Sequence, residues 1–174
     1  MKPGGQRRLF FALWPDDVVR HALLHWQTHN LPATVRWQHR ADLHMTLHFL
    51  GQVDAERVDG LMALGASLAP AAFPIVIDEI GHWPKPRVLW AGPTSIPADL
   101  GELHARLDAG LRQQGFETDS RPYRPHLTLA RRVVDDNGLR PLLPLTWLVR
   151  EMALVESRPG NAPLYHPVAR WALS

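Results

Sequence analysis

Short apolar runs bounded by proline and glycine alternate along this chain with three stretches whose apolar residues recur every three or four positions. Strand-like and helix-like segments are therefore interleaved from end to end. The run "RLFFALW" reads as a first strand. Pro15 then opens a helix, where Asp16 and Asp17 suit the positive end. Val19, Ala22, Leu23 and Trp26 mark its buried face, and Asn30-Leu31-Pro32 breaks it. "VRW" is a short strand before "HMTLHFLG", a longer one that Gly51 ends. Asp54 caps a second helix, with Val58, Leu61, Met62 and Gly65 as its packed stripe and Pro70 as its stop.

"FPIVIDEIGHW" and "RVLWAG" flank Pro84-Lys85-Pro86 as a hairpin. Leu100, Leu103, Leu107 and Leu111 mark a third helix, closed by Gly115. "HLTLARR" is the next strand, and "DDNGLRPLLPL" is a turn-rich connection. "WLVREMALVES" and "LYHPVARWAL" read as two closing strands joined through Pro159-Gly160-Asn161. No long linker or low-complexity segment divides the 174 residues, so residues 1–174 are expected to form a single α+β domain.

One polar-apolar phrase occurs twice. "LHMTLHFLG" and "PHLTLARR" both contain His-x-Thr-Leu, beginning at His44 and at His126. Residues two apart on a strand share a face, so His44 pairs with Thr46, and His126 with Thr128. Met45, Leu47, Leu127 and Leu129 point the other way, into the core. Similar elements recur around each copy, which suggests two related lobes that each supply one motif. If the lobes face one another, two imidazoles and two hydroxyls converge.

Such a set suits a phosphodiester. One neutral histidine takes a proton from an attacking oxygen, and one protonated histidine gives a proton to the departing one. Threonine hydroxyls and an arginine stabilise charge on the non-bridging oxygens. This scheme requires no metal.

Composition narrows the compartment more than the chemistry. Hydrophobic residues make up 45% and charged residues 21%, as in ordinary soluble proteins. No apolar run approaches membrane-spanning length, and the N-terminal apolar run ends too soon at Pro15-Asp16 for a signal peptide. Cysteine is absent, which removes disulfides and thiolate chemistry. A cytoplasmic protein is the expectation. The formal charge is only +2, but lysine occurs only at positions 2 and 85, so arginine carries nearly all the positive charge. Arg36, His39 and Arg40 precede the first motif, while Arg121, Arg124, Arg131 and Arg132 bracket the second. Basic groups around two histidines point to an anionic ligand.

These residues give the chain a resemblance to the 2H phosphoesterase superfamily, and most closely to RNA 2',3'-cyclic phosphodiesterases, also called 2'-5' RNA ligases. The similarity runs over "RLFFALWP", "DLHMTLHFLG", "RVLWAG", "RPYRPHLTLAR" and "YHPVARWAL". It implies a bilobal fold, two pseudo-symmetric lobes of antiparallel sheet with outer helices around a central cleft. It implies His44 as proton donor and His126 as proton acceptor, an assignment the residues alone leave open. Thr46, Thr128 and Arg131, five residues after His126, would bind the phosphate. The implied reaction opens RNA 2',3'-cyclic phosphate ends to 2'-phosphate ends, tRNA fragments being one candidate substrate, with no cofactor and no obligate protein partner. Alternatives are 2'-5' joining of tRNA halves, action on small cyclic nucleotides, or a non-catalytic module that grips RNA ends.

Other residues invite roles of their own. Strand alternation puts His48 on the face of His44 and Thr46, as a cleft-wall residue. A metal triad of His44, His48 and His126 is disfavoured because its only nearby carboxylate is Asp42, at the strand's start. Tyr123 stands three residues before His126, where an aromatic ring would either stack on a base or pack at the cleft edge. His39, Arg40 and Arg124 are candidate RNA contacts or a solvated basic rim. His21, His25 and His29 recur every four residues as a solvated helix face. Trp83 and Trp90 are assigned to the core.

Overall fold

The computed structural model describes residues 4–30 and 35–174. The helix-breaking Leu31-Pro32 lies outside them, as does Lys2. In chain order the elements are β1 (Gln6–Leu13), α1 (Asp17–Asn30), β2 (Arg36–Trp37), β3 (Met45–Asp54), α2 (Val58–Leu68), β4 (Phe73–Ile77), β5 (Glu79–Trp83), β6 (Val88–Gly92), α3 (Ala98–Gln113), β7 (Leu127–Arg131), β8 (Leu145–Val149), β9 (Glu151–Ser157) and β10 (Tyr165–Ala172). The large sheet runs β10-β9-β1-β3-β7-β6-β5, with β2 paired to β7, and β4 and β8 form a separate ribbon. Every pairing is antiparallel.

The two halves meet at a narrow seam. β3 and β7 share one backbone pair, Met45 opposite Leu127. Both side chains are fully buried in the main core, together with Leu9, Phe11 and Leu13 of β1 and the leucine stripe of α3. The alternate residues of the central strands open to the other side. There Phe10, Ala12, Ala153 and Val155 form a small second cluster against Trp14 and Tyr165. This second face holds the cleft.

Several local expectations need correction. Gly51 does not end β3; it continues the strand at φ 70° opposite Leu9, while Phe49 pairs with Phe10 and Leu50 is left over as a bulge. Asp54 caps nothing with its side chain, because its carboxylate accepts from Gln6 Nε2 at 3.0 Å and a 3-10 turn precedes α2. Met62 is exposed, and Leu68 completes the α2 stripe instead. "FPIVIDEIGHW" is two strands. Asp78 divides it by holding Thr94 through backbone and hydroxyl bonds of 2.8 Å each. Its first half joins β8, which likewise splits from β9 at Arg150, so that "WLVREMALVES" serves two sheets.

α2 lies close to the large sheet at a glycine. A Cβ on Gly65 would sit 2.3 Å from the Trp171 ring of β10. Gly65→Ala should therefore destabilise the protein by about 1–3 kcal/mol through overpacking. An unchanged urea midpoint for this variant would contradict the packing described.

Candidate active site

His44 lies one residue before β3 and His126 one residue before β7, so each is placed by the strand that follows it. Continuing the Met45–Leu127 register sets His44 across from Thr128, and Thr46 across from His126. Directly opposed residues of an antiparallel pair stand about 5 Å apart at Cβ. The two motifs thus crowd into one patch of phosphate size.

Each ring is held in the same way. His44 Nδ1 donates to the carbonyl of Asp42 at 2.7 Å, and His126 Nδ1 donates to the carbonyl of Arg124 at 2.8 Å. A carbonyl only accepts, so in the neutral ring the proton stays on Nδ1 and the Nε2 lone pair is left for chemistry. Thr46 Oγ1 lies 3.0 Å from His44 Nε2 and donates to it when the ring is neutral. Burial holds His44 down at about 4; the Asp42 carbonyl bond opposes this, while the charges of His126 and Arg131 add to it. His126 is likewise lowered, first by burial, with its bond to Arg124 opposing and the charge of Arg131 assisting.

A bulge follows each motif at its leucine. In the first copy, Ala12 pairs with Thr46 and Phe11 with His48, so Leu47 is the extra residue. In the second, Trp90 pairs with Thr128 and Leu89 with Ala130, so Leu129 is extra. Each bulge reverses the alternation that follows it. His48 shares the core side with Phe11 and not the face of His44 and Thr46, yet it lines the same groove as Thr46 and His126, the cleft-wall place expected of it. It is only 5% exposed, donates Nε2 to the His104 carbonyl at 3.1 Å, and stacks on the His104 ring at 4.1 Å. The face of His44 and Thr46 passes instead to Phe49, which sequence reasoning missed. Simple alternation would also turn Arg131 from the cleft. The bulge returns it, and its charge acts on both histidines.

Aromatic walls stand on both sides. Tyr165 meets His44 edge-on at 4.8 Å, with Phe10 at 4.9 Å and Trp14 at 5.9 Å. Trp83 meets His126 edge-on at 4.5 Å and leans on Trp90 at 5.2 Å. Trp83 and Trp90 are thus half-buried cleft residues as well as packing residues. The Tyr123 ring lies flat on His104 at 3.9 Å, and its hydroxyl donates to the Thr46 carbonyl at 2.8 Å. That bond ties the second motif's approach segment to the first motif's strand, which is the packing role rather than a free stacking platform.

A groove of about 990 Å³ is lined by Thr46, His48, Phe49, Trp83, Lys85, Tyr123, Arg124 and His126. His39 and Arg40 do not reach it. They line a second pocket of about 720 Å³ with Trp14, Arg20 and Tyr165, and His39 Nδ1 accepts from Ala41 N at 3.1 Å. His21, His25 and His29 are exposed along α1. Among the described residues, no three His, Asp or Glu side chains gather as metal ligands.

Asp42 anchors the His44 side. Its carboxylate is 1% exposed and accepts from Leu164 N at 3.0 Å to each oxygen and from Tyr165 N at 3.1 Å. Sequence reasoning saw it only as the acid near a doubtful metal triad, since its partners lie more than a hundred residues away.

Known proteins resemble the chain over most of its length. A family model described as the 2'-5' RNA ligase superfamily matches residues 14–161. An RNA 2',3'-cyclic phosphodiesterase of Escherichia coli (strain K12) is 32% identical over 171 residues, covering 97% of this chain and 97% of its own. One from Thermus thermophilus is 33% identical over 183 residues, covering 95% and 90%. A crystal structure of a phosphoesterase matches with a TM-score of 0.89 at 31% identity, covering 97% of this chain and 99% of that one. E. coli LigT complexed with 3'-AMP matches with a TM-score of 0.86 at 29% identity, covering 98% and 99%.

Replacing Asp42 by alanine would leave the Leu164 and Tyr165 N–H groups buried without acceptors. At about 1–3 kcal/mol for each unsatisfied group, Asp42→Ala should lose several kcal/mol of stability. Thermal unfolding at the wild-type temperature would argue that these bonds contribute nothing.

Proposed function

The chain belongs to the 2'-5' RNA ligase superfamily, and from that premise we propose that it opens 2',3'-cyclic phosphate ends of RNA to 2'-phosphate ends. The observation that carries this reading is the pair of histidines on adjoining strands, each with Nδ1 fixed by a carbonyl and Nε2 left for the substrate. The scheme moves two protons, one through each histidine. His126 Nε2 removes a proton from water as the water oxygen bonds to phosphorus. The bond from phosphorus to O3' breaks, and His44, protonated at Nε2, gives its proton to that oxygen. Thr46, Thr128 and Arg131 carry the charge on the non-bridging oxygens through the five-coordinate state.

The direction of transfer follows the family resemblance and not the electrostatics of the free protein. The charge of Asp42 favours protonated His44, but burial and the charges of His126 and Arg131 outweigh it and hold that ring at about 4, while burial and Arg131 lower His126 as well. Burial lowers both rings in the free protein. A bound phosphodiester anion would raise both again, because an opposite charge nearby favours imidazolium.

His44→Ala and His126→Ala should each reduce kcat by roughly 10²–10⁴-fold on an oligonucleotide with a 2',3'-cyclic phosphate end. A double variant that kept full turnover would remove the proposal. The profile of kcat/KM against pH should be a bell with its maximum below about 6.5, since both rings are lowered from that value. The kcat bell should lie at higher pH than the kcat/KM bell. Profiles that coincide, or that stay flat from acid to neutral pH, would speak against two titrating histidines.

A further inference from the structure

Phe49 is the next residue of β3 to take the face of Thr46. It stands where β3 has already parted from β7, since the two strands share only the Met45–Leu127 pair, and it is 53% exposed on the groove that Thr46 and His126 line. A single exposed phenyl ring is ordinary on a surface, but one on the wall of the site asks what it meets in use. The bulge at Leu47 is the reason for its direction, since without that extra residue Phe49 would point into the core. Arg131 is its counterpart in the second motif, five residues after the histidine and delivered to the cleft by the bulge at Leu129. The same backbone device therefore presents a guanidinium from one lobe and a phenyl ring from the other.

The ring's surroundings fit one class of ligand. Phe49 lines the same groove as Thr46 and His126, and the groove's rim includes Lys85 and Arg124. Among the described residues, neither cation is engaged by a carboxylate. The Arg8 guanidinium lies 4.9 Å from the Phe49 ring centroid and holds the ring from the side of β1. Phe49 follows Thr46 by three residues, at most about 10 Å along the strand. The same groove carries two cations placed to take a second phosphate, and this suits the base of the nucleotide before the one that carries the cyclic phosphate.

We propose that Phe49 is the stacking platform for the penultimate base of the RNA end, with Lys85 and Arg124 flanking the intervening backbone phosphate. Every base has a π-face, so this subsite measures chain length without reading sequence. The inference rests on the reading of the site as one for cyclic phosphate ends, but its test does not depend on turnover.

The comparison is between a trinucleotide ending in a 2',3'-cyclic phosphate and a cyclic mononucleotide. Phe49→Ala should raise KM roughly ten-fold on the trinucleotide, with kcat nearly kept, and should leave the mononucleotide unaffected. Phe49→Tyr should restore the trinucleotide KM. An abasic residue at the penultimate position should cost the wild type the same factor and cost Phe49→Ala nothing further. Equal losses on both substrates, or additive losses from the variant and the abasic probe, would overturn the subsite. Titration of the trinucleotide 2'-phosphate product gives a second readout that needs no catalysis. Equal affinity of wild type and Phe49→Ala for that product would also overturn it. A wild type that binds the product through Phe49 yet never opens cyclic ends would instead leave the subsite and remove the proposed reaction.

Discussion

Two hydrogen bonds from imidazole Nδ1 to backbone carbonyls set the orientation of the two cleft histidines. Each bond fixes ring rotation and tautomer together, using an acceptor two residues upstream that belongs to the same rigid strand approach. No carboxylate is spent on orienting either ring by direct contact. Asp42 acts on His44 through its main chain and through its charge, while its side-chain oxygens are occupied elsewhere. That separation lets one residue brace the imidazole and also bring Tyr165 against it.

The scaffold explains why both rings sit on one patch. A single backbone pair joins the lobes, and the motif residues flank it on both strands. Tyr123 adds a side-chain bond across the same junction, and His104 and His48 extend it as a column of stacked rings into α3. Desolvation is the main reason that the two cleft histidines are lowered, so the packing that orients them also tunes them. In the proposed reaction a bound anion would supply the compensating field.

Much of this was legible in the sequence, for identifiable reasons. The His-x-Thr-Leu repeat located the site because strand alternation holds over the three residues from His to Thr. It failed at the next step, since a bulge costs one residue and leaves no mark in composition; His48, Phe49 and the direction of Arg131 all turn on it. The α3 stripe was read correctly because four leucines at helical spacing have no alternative face. Met62 misled because a hydrophobic residue at the stripe's edge still belongs to the surface. Pairing partners were illegible wherever they were distant, as with Asp42 and Leu164, or β4 and β8. Trp83 and Trp90 were read mostly as core, and their place at the cleft shows only in the contact of Trp83 with His126 and the pairing of Trp90 with Thr128.

The one-pair junction has a thermodynamic side. A ladder so short supplies little of the cohesion between the halves, which rests instead on the buried core that Met45 and Leu127 share with β1 and α3 and on the Tyr123 bond to the Thr46 carbonyl. The mutual aim of the two imidazoles is therefore a property of side-chain packing, and a cavity opened beside Met45 or Leu127 would disturb it while leaving every strand pairing in place.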